Sequence, residues 1–350
     1  MNLPESADKT STLRERYPLA DFLRGIAIIL MIQVHIMELF ATEDIFSSWI
    51  GRISLFLGGS PAAPMFMIIM GYFAATSRKN FSQQFVRGIK LFFGGLILNI
   101  GLNFSLLWKI YKGELALDPL PYIFGADILP LAGLSLIALA IIKKCFSEKF
   151  APQLILLVTV LIITEIVNHF DIQLNGTSKY VLSFFIGVSE WSYFPFFTWF
   201  AYPLLGFIIN SASEKSLFKE SLSKKNLIIV LSVILVFVLL SFEWSISISS
   251  DLQRYYHHGT LFFIWCLVLL IGWTIIFYFI HHYIRTNNIS RYVQWLGRNV
   301  TAVYVFQWLL IGNIATQIYR TQELIQSSVW FFAILCLTSI LTHFWVKYRS

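Results

Sequence analysis

Apolar stretches of about twenty residues recur through this sequence, and each is long enough to cross a ~30 Å hydrocarbon core at ~1.5 Å per residue. They predict an all-α, polytopic membrane protein with about ten spans, near 23–41, 54–76, 91–108, 122–142, 152–170, 193–212, 227–247, 259–281, 296–314 and 327–346. Composition agrees: charged residues make up 13% of 350 positions, against roughly 25% in a water-soluble domain. The reading is a polar N-terminal tail over 1–22 and one membrane domain over 23–346. The first apolar run carries Arg24 and His35 and lacks a small-residue cleavage site, so it reads as a permanent span and not a removable signal peptide.

Charge tests this division independently, because Lys and Arg accumulate on the cytoplasmic side of short loops. With the N-terminus inside, all but six of the 26 cations fall on inner segments. The exceptions are Arg52, Lys109, Lys112, Lys179, Arg254 and Arg320. Every second connection is therefore basic, which predicts that both termini are cytoplasmic. The net charge of +7 then needs anionic lipid headgroups as its partner and no nucleic acid. Cys145, Cys266 and Cys336 form no metal-binding or redox spacing.

Two segments depart from plain apolar helix. Gly58–Pro64, with prolines at 61 and 64, reads either as a turn that starts a helix or as backbone dipping inward to line a cavity. Pro195 and Pro203 bracket an aromatic run and predict kinked packing. Gly94, Gly95 and Gly101, with Asn99 and Asn103, predict a third span that packs closely and hydrogen-bonds to its neighbours.

Ionisable side chains inside a span cost a few kcal/mol, so they tend to face the bundle interior and to work there. In the first span, Arg24 and His35 are eleven residues apart, which places them on one helix face about 16 Å apart along the axis. Asp21 with Arg24, and His35 with Glu38, are neighbours three residues apart on the same stripe. A forked, permanently charged arginine suits phosphate, and a histidine suits proton transfer from a hydroxyl or amine. Each residue alone also has an ordinary account, Arg24 as a membrane anchor and His35 as a hydrogen-bonded packing residue. On one face they describe two ends of a path. Asp127, Glu165, Glu243, His257 and His258 lie toward the outer side, where a polar acceptor would enter.

The segment Leu-Ala-Asp-Phe-Leu-Arg-Gly-Ile-Ala-Ile-Ile-Leu-Met, with Arg24 and His35 spaced by ten residues, resembles the first-helix signature of the transmembrane acyltransferase superfamily. That superfamily contains the acyltransferase-3 proteins and the heparan-alpha-glucosaminide N-acetyltransferases. The stretches at 63–72, 126–135, 194–206 and 296–304 are similar to the second branch in its bacterial form.

The resemblance implies transfer of an acyl group, usually acetyl, from cytosolic acetyl-CoA to an amine or hydroxyl of a sugar or glycan beyond the membrane, here taken as a bacterial inner membrane. By resemblance, His35 takes the catalytic histidine position and Arg24 that of its paired arginine. Asp127 or Glu38 would orient the imidazole, and Arg24, Arg87, Lys90 and Arg298 would hold the donor's phosphates. His257 and His258 stand on the acceptor side. Gln307 stands where many relatives carry a histidine, and is a substrate-side candidate. The loop at 42–52 lacks the histidine of the human-type enzyme. No metal is implied, and oligomeric state stays open. A secondary transporter or channel for a small polar solute is the competing class, since intramembrane charges also mark solute paths, and a scaffold without chemistry is a third.

Overall fold

The computed structural model describes residues 17–146, 149–170, 176–187, 189–214 and 223–349. Most of the expected tail, including Lys9, Arg14 and Arg16, lies outside the described residues, as do Asp171, Lys215 and Lys219. The described chain is helical, without a β-strand. Helix α1 (Pro18–Leu39) begins with a proline at its first turn, where no intrahelical partner awaits an N–H. Its far end is tied to a distant loop: Arg320 N donates to Leu39 O at 3.0 Å and Gln322 N to Phe40 O at 2.8 Å. An Arg320–Glu43 ion pair closes the same junction.

The second span runs unbroken from Trp49 to Ala75, longer than the sequence predicts at its N-terminal end. It consists of α2 (Trp49–Leu57), a π-helical turn at Gly58–Ala62, and α3 (Ala63–Ala75). The Gly/Pro segment is therefore neither a turn outside the helix nor an inward-dipping loop. Widening by one residue absorbs Pro61, whose missing N–H cannot continue the regular ladder, and Pro64 falls in the first turn of α3. All five residues of the turn are buried.

Next come α4 (Phe81–Leu102), α5 (Ile128–Phe146), α6 (Phe150–His169) and α7 (Ala201–Glu214). Asn80 starts α4 with a reciprocal cap, its side chain accepting from Gln83 N at 2.9 Å. The close packing expected of α4 holds at Gly95, which lies against Pro130, and at Gly101, where an added Cβ would sit 2.8 Å from Leu309. Gly94 faces open space and takes no part.

Helices α8 (Lys224–Leu240) and α9 (Phe242–Ser249) form one bent pair, 68° apart. The short α10 (Leu252–Tyr256) leads into α11 (Thr260–Ile284), then α12 (Asn288–Arg298), α13 (Val300–Ile318) and α14 (Leu324–Arg349).

Among the described residues, seven helices are long and apolar enough to cross a membrane, or eight with the bent pair counted as one span. The expected total of about ten rests on two more. The segment at 196–212 is apolar but short, and α13 is diluted by Thr301, Gln307, Asn313 and Gln317.

Successive connections gather at two opposite ends of the bundle. At one end, Tyr17 meets Tyr72 and Phe73, and Lys143 Nζ donates to Ala75 O and Ser77 O at 2.7 and 2.8 Å. That lysine satisfies carbonyls that the helix end leaves open. At the other end, Asn103 Nδ2 donates to Tyr122 O, Asn168 Nδ2 to His257 O, and Ala126 N to Trp191 O. Between them lies a core centred on Trp199, Tyr202, Met67 and Leu139, all fully buried.

Candidate active site

His35 and Glu38 occupy the last turns of α1, and the helical spacing brings Glu38 Oε2 to 3.4 Å from His35 Nδ1. The indole of Trp308, on α13, lies against the imidazole with ring centres 4.1 Å apart. Asp127 reaches the same place from α5. It precedes that helix and caps it, with Leu131 N donating to its backbone carbonyl and Ile128 N to Oδ1 at 2.7 Å. The loop leading into it is fixed by Asn99, whose Nδ2 donates to Gly125 O at 2.8 Å and Ile123 O at 3.2 Å. The neighbour-bonding role expected for Asn99 and Asn103 is thus to hold the strand of chain that delivers Asp127.

Tyr304 on α13 donates its hydroxyl hydrogen to Asp127 Oδ2 at 2.8 Å. His35, Glu38, Asp127 and Tyr304 line one cavity of about 30 Å³, room for a water or two or for a small reacting group. Tyr255, Tyr256 and Gly58 and Gly59 of the π-helical turn line it as well. A carboxylate on Nδ1 leaves Nε2 as the basic nitrogen, and Asp127 supplies a second carboxyl group. The arrangement suits withdrawal of a proton from a hydroxyl or amine.

Arg24 lies at the opposite end of α1, 3.6 Å from Asp21 Oδ1, with its guanidinium 4.5 Å from the centre of the Phe73 ring. Its side chain is 19% exposed. Helix α12 packs tightly alongside: a Cβ on Gly297 would strike the carbonyl of Asp21, and one on Gly25 that of Val293. Arg298 is thereby set beside the Asp21–Arg24 turn, exposed, with Nε donating to Gln294 O at 3.3 Å. Arg87 and Lys90 are exposed on the early turns of α4, which starts from the same end of the bundle. None of these four cations lines the cavity.

The match covers almost the whole of this bundle: the acyltransferase-3 family model, described as an acyltransferase domain, fits residues 19–347. The chain belongs to the acyltransferase-3 family. No curated protein matches it. As an acyltransferase-3 protein it is a membrane acyltransferase, and the cavity at the end of α1 is where its residues best suit such chemistry.

The remaining candidates stand elsewhere. His258 is buried, with Nδ1 donating to Tyr255 O at 2.7 Å and Nε2 accepting from Tyr202 OH at 2.9 Å. Burial pushes it down to about 4, so it is neutral. His257 Nε2 donates to Ser192 O at 2.8 Å, and burial lowers this histidine too. Both rings are spent on positioning the loop behind Tyr255. Gln307 is fully buried on α13, and neither its amide oxygen nor its nitrogen has a partner among the described residues. It does not reach the cavity wall.

Glu165 holds the start of α11 by accepting from Thr260 N. Among the described residues no group of three His, Cys, Asp or Glu side chains is placed to hold a metal ion. Tyr304, Tyr255 and Trp308 are site residues that sequence reasoning passed over. Tyr304 closes the Leu-Gly-Arg-Asn-Val-Thr-Ala-Val-Tyr stretch, and that position was the signal available for it.

Proposed function

We propose that this acyltransferase-3 protein moves acetyl from cytosolic acetyl-CoA to an amine or hydroxyl of a sugar or glycan on the far side of a bacterial inner membrane. The observation that carries the reading is the division of α1: an arginine at one end, and at the other His35 and Glu38 on a cavity that Asp127 also lines. In this reading the N- and C-termini are cytoplasmic and the chain crosses about ten times, with 1–22 as a tail and 23–346 as a single domain. Arg24, with Arg87, Lys90 and Arg298 at the same end of the bundle, attracts the nucleotide phosphates of the donor. The pantetheine arm then extends about 16 Å along α1, the rise of eleven residues, to bring the thioester to His35.

His35 acts as the general base, with Glu38 on its Nδ1 side fixing the tautomer, and Asp127 stabilises the imidazolium that forms. A variant in which His35 first carries the acetyl group uses the same geometry. His257 and His258 serve the acceptor indirectly, by holding the tyrosine wall. The stretches quoted above favour the bacterial heparan-alpha-glucosaminide N-acetyltransferase-like branch, and with it a sugar amine.

The test uses purified protein in lipid nanodiscs with radiolabelled acetyl-CoA and glucosamine. The unaltered protein is expected to form N- or O-acetylglucosamine, and His35→Ala to form none while remaining inserted and folded. Transfer retained in that variant removes His35 from the chemistry.

A further inference from the structure

Most side-chain hydrogens on the cavity wall are committed. Tyr304 gives its own to Asp127 at 2.8 Å, and Ser249 gives its own to Ser245 O at 2.8 Å. Tyr255 differs. It is 4% exposed, it lines the cavity, and its hydroxyl has no hydrogen-bond partner among the described residues.

The ring holding this hydroxyl has little freedom. Trp199 meets it edge-on at 5.5 Å, the His258 ring lies against it at 6.3 Å, and its backbone carbonyl accepts from His258 Nδ1. Its hydroxyl-bearing end abuts the π-helical turn. A Cβ added to Gly59 would lie 3.1 Å from Cζ and 3.2 Å from Cε2, so a glycine there lets the phenol tip approach the turn that forms the cavity wall. A buried hydroxyl without a partner lowers stability, and phenylalanine would remove that cost with the same shape. A ligand atom that accepts from it would remove the same cost.

Charge identifies that atom. His35, Glu38 and Asp127 already offer acceptors for the hydrogens of an incoming hydroxyl or amine. An acyl carbonyl oxygen has the opposite need, because it turns negative as the nucleophile adds. The two carboxylates would oppose that charge, so a neutral donor must offset them.

We propose that the Tyr255 hydroxyl donates to the acyl carbonyl oxygen as it becomes an oxyanion, which rests on the acyl-transfer reading and deepens it. The acceptor's N–H or O–H loses its proton to His35 Nε2 as its lone pair bonds to the thioester carbonyl carbon. The carbonyl π electrons move onto oxygen, which takes the hydrogen bond from Tyr255. Their return breaks the C–S bond, and the departing sulfur takes the proton from the imidazolium. Free CoA thiol and acetylated acceptor result, and Tyr255 keeps its hydrogen throughout.

The experiment compares the unaltered chain, Tyr255→Phe and His35→Ala in nanodiscs, with acetyl-CoA as donor and glucosamine as the acceptor probe. Loss of one oxyanion donor is expected to lower kcat of Tyr255→Phe by about 10²–10³-fold, with KM for both substrates nearly unchanged. Its thermal unfolding temperature should equal or exceed that of the unaltered protein, which a merely structural role would not produce. Full kcat in Tyr255→Phe with His35→Ala inactive overturns the Tyr255 assignment and leaves acyl transfer standing. A lowered unfolding temperature, or a rise confined to the KM for glucosamine, also overturns it. No acetyl transfer by the unaltered chain overturns both readings.

Discussion

Tyr304 donates its hydroxyl hydrogen to Asp127 Oδ2 at 2.8 Å and joins α13 to the start of α5 across the cavity that contains His35. A hydrogen bond to a carboxylate contributes about 1.5–3 kcal/mol, and here it also aims one oxygen of a group that faces the imidazole. Tyr304→Phe keeps the packing and deletes this bond. Turnover is expected to fall by roughly tenfold or more, with a modest loss of thermal stability, because each ~1.4 kcal/mol of lost transition-state stabilisation is tenfold in rate. Kinetics and melting on the same nanodisc preparation check it; unchanged kcat would leave the pair a structural strut.

Glu38 sits 3.4 Å from His35 Nδ1, and both side chains are largely buried at 14% and 13% exposure. Glu38→Gln keeps a hydrogen-bond acceptor but removes the charge that stabilises an imidazolium. The expected result is a kcat lowered by about 10–100-fold at neutral pH, since a positioned acid–base group contributes typically 10²–10⁴ and only part of it is lost. Measuring kcat for Glu38→Gln beside Glu38→Ala separates orientation from charge: if the Gln variant matches the unaltered protein, charge has no part.

What the sequence could express was periodic. Apolar runs of bilayer length, the alternation of basic loops and the three-residue steps on α1 are local regularities, and they led to the membrane spans, to Arg24 and to the His35–Glu38 pair. Asp127 was legible as a carboxylate inside an apolar segment. Tyr255 was not, because nothing local distinguishes it from other tyrosines, and Tyr304 was marked only as the last residue of the Leu-Gly-Arg-Asn-Val-Thr-Ala-Val-Tyr stretch. Their roles come from α10 and α13 meeting α1 at one cavity, over separations of more than two hundred residues.

His257 and His258 show the converse. Adjacent loop histidines look available for substrate, yet tertiary packing spends both on Ser192, Tyr202 and Tyr255. The π-helical turn was hidden for another reason: a proline in a helical run announces a break, and only the widened turn that accommodates Pro61 keeps the span continuous.

Arg24 presents a flat guanidinium over Phe73 with Asp21 beside it, an arrangement that lysine cannot reproduce. Arg24→Lys keeps the charge and therefore any anchoring at the membrane surface. If Arg24 grips the donor's phosphates, KM for acetyl-CoA should rise by about tenfold, the equivalent of ~1.4 kcal/mol of binding, with kcat little changed because His35 is distant. Varying acetyl-CoA at saturating glucosamine gives the answer. Wild-type KM in the lysine variant would return Arg24 to the role of an anchor.

His258 links acidity to stability. In the folded chain burial holds it near 4, against 6.5 for the free group, so the unfolded chain binds the proton more readily. Stability contributed by the neutral, doubly hydrogen-bonded ring is therefore fully present above pH 6.5 and lost as the pH falls through that value toward 4. His257, lowered in the same direction, adds to the slope. Protonation of His258 removes the lone pair that accepts from Tyr202 OH and charges a ring enclosed by Trp199, Tyr255 and Phe262. The unfolding temperature in nanodiscs is thus expected to decline between about pH 6.5 and pH 4, and His258→Gln should flatten that decline while lowering stability at neutral pH. A pH–stability curve identical in the variant and the unaltered chain would assign the acid sensitivity to other groups.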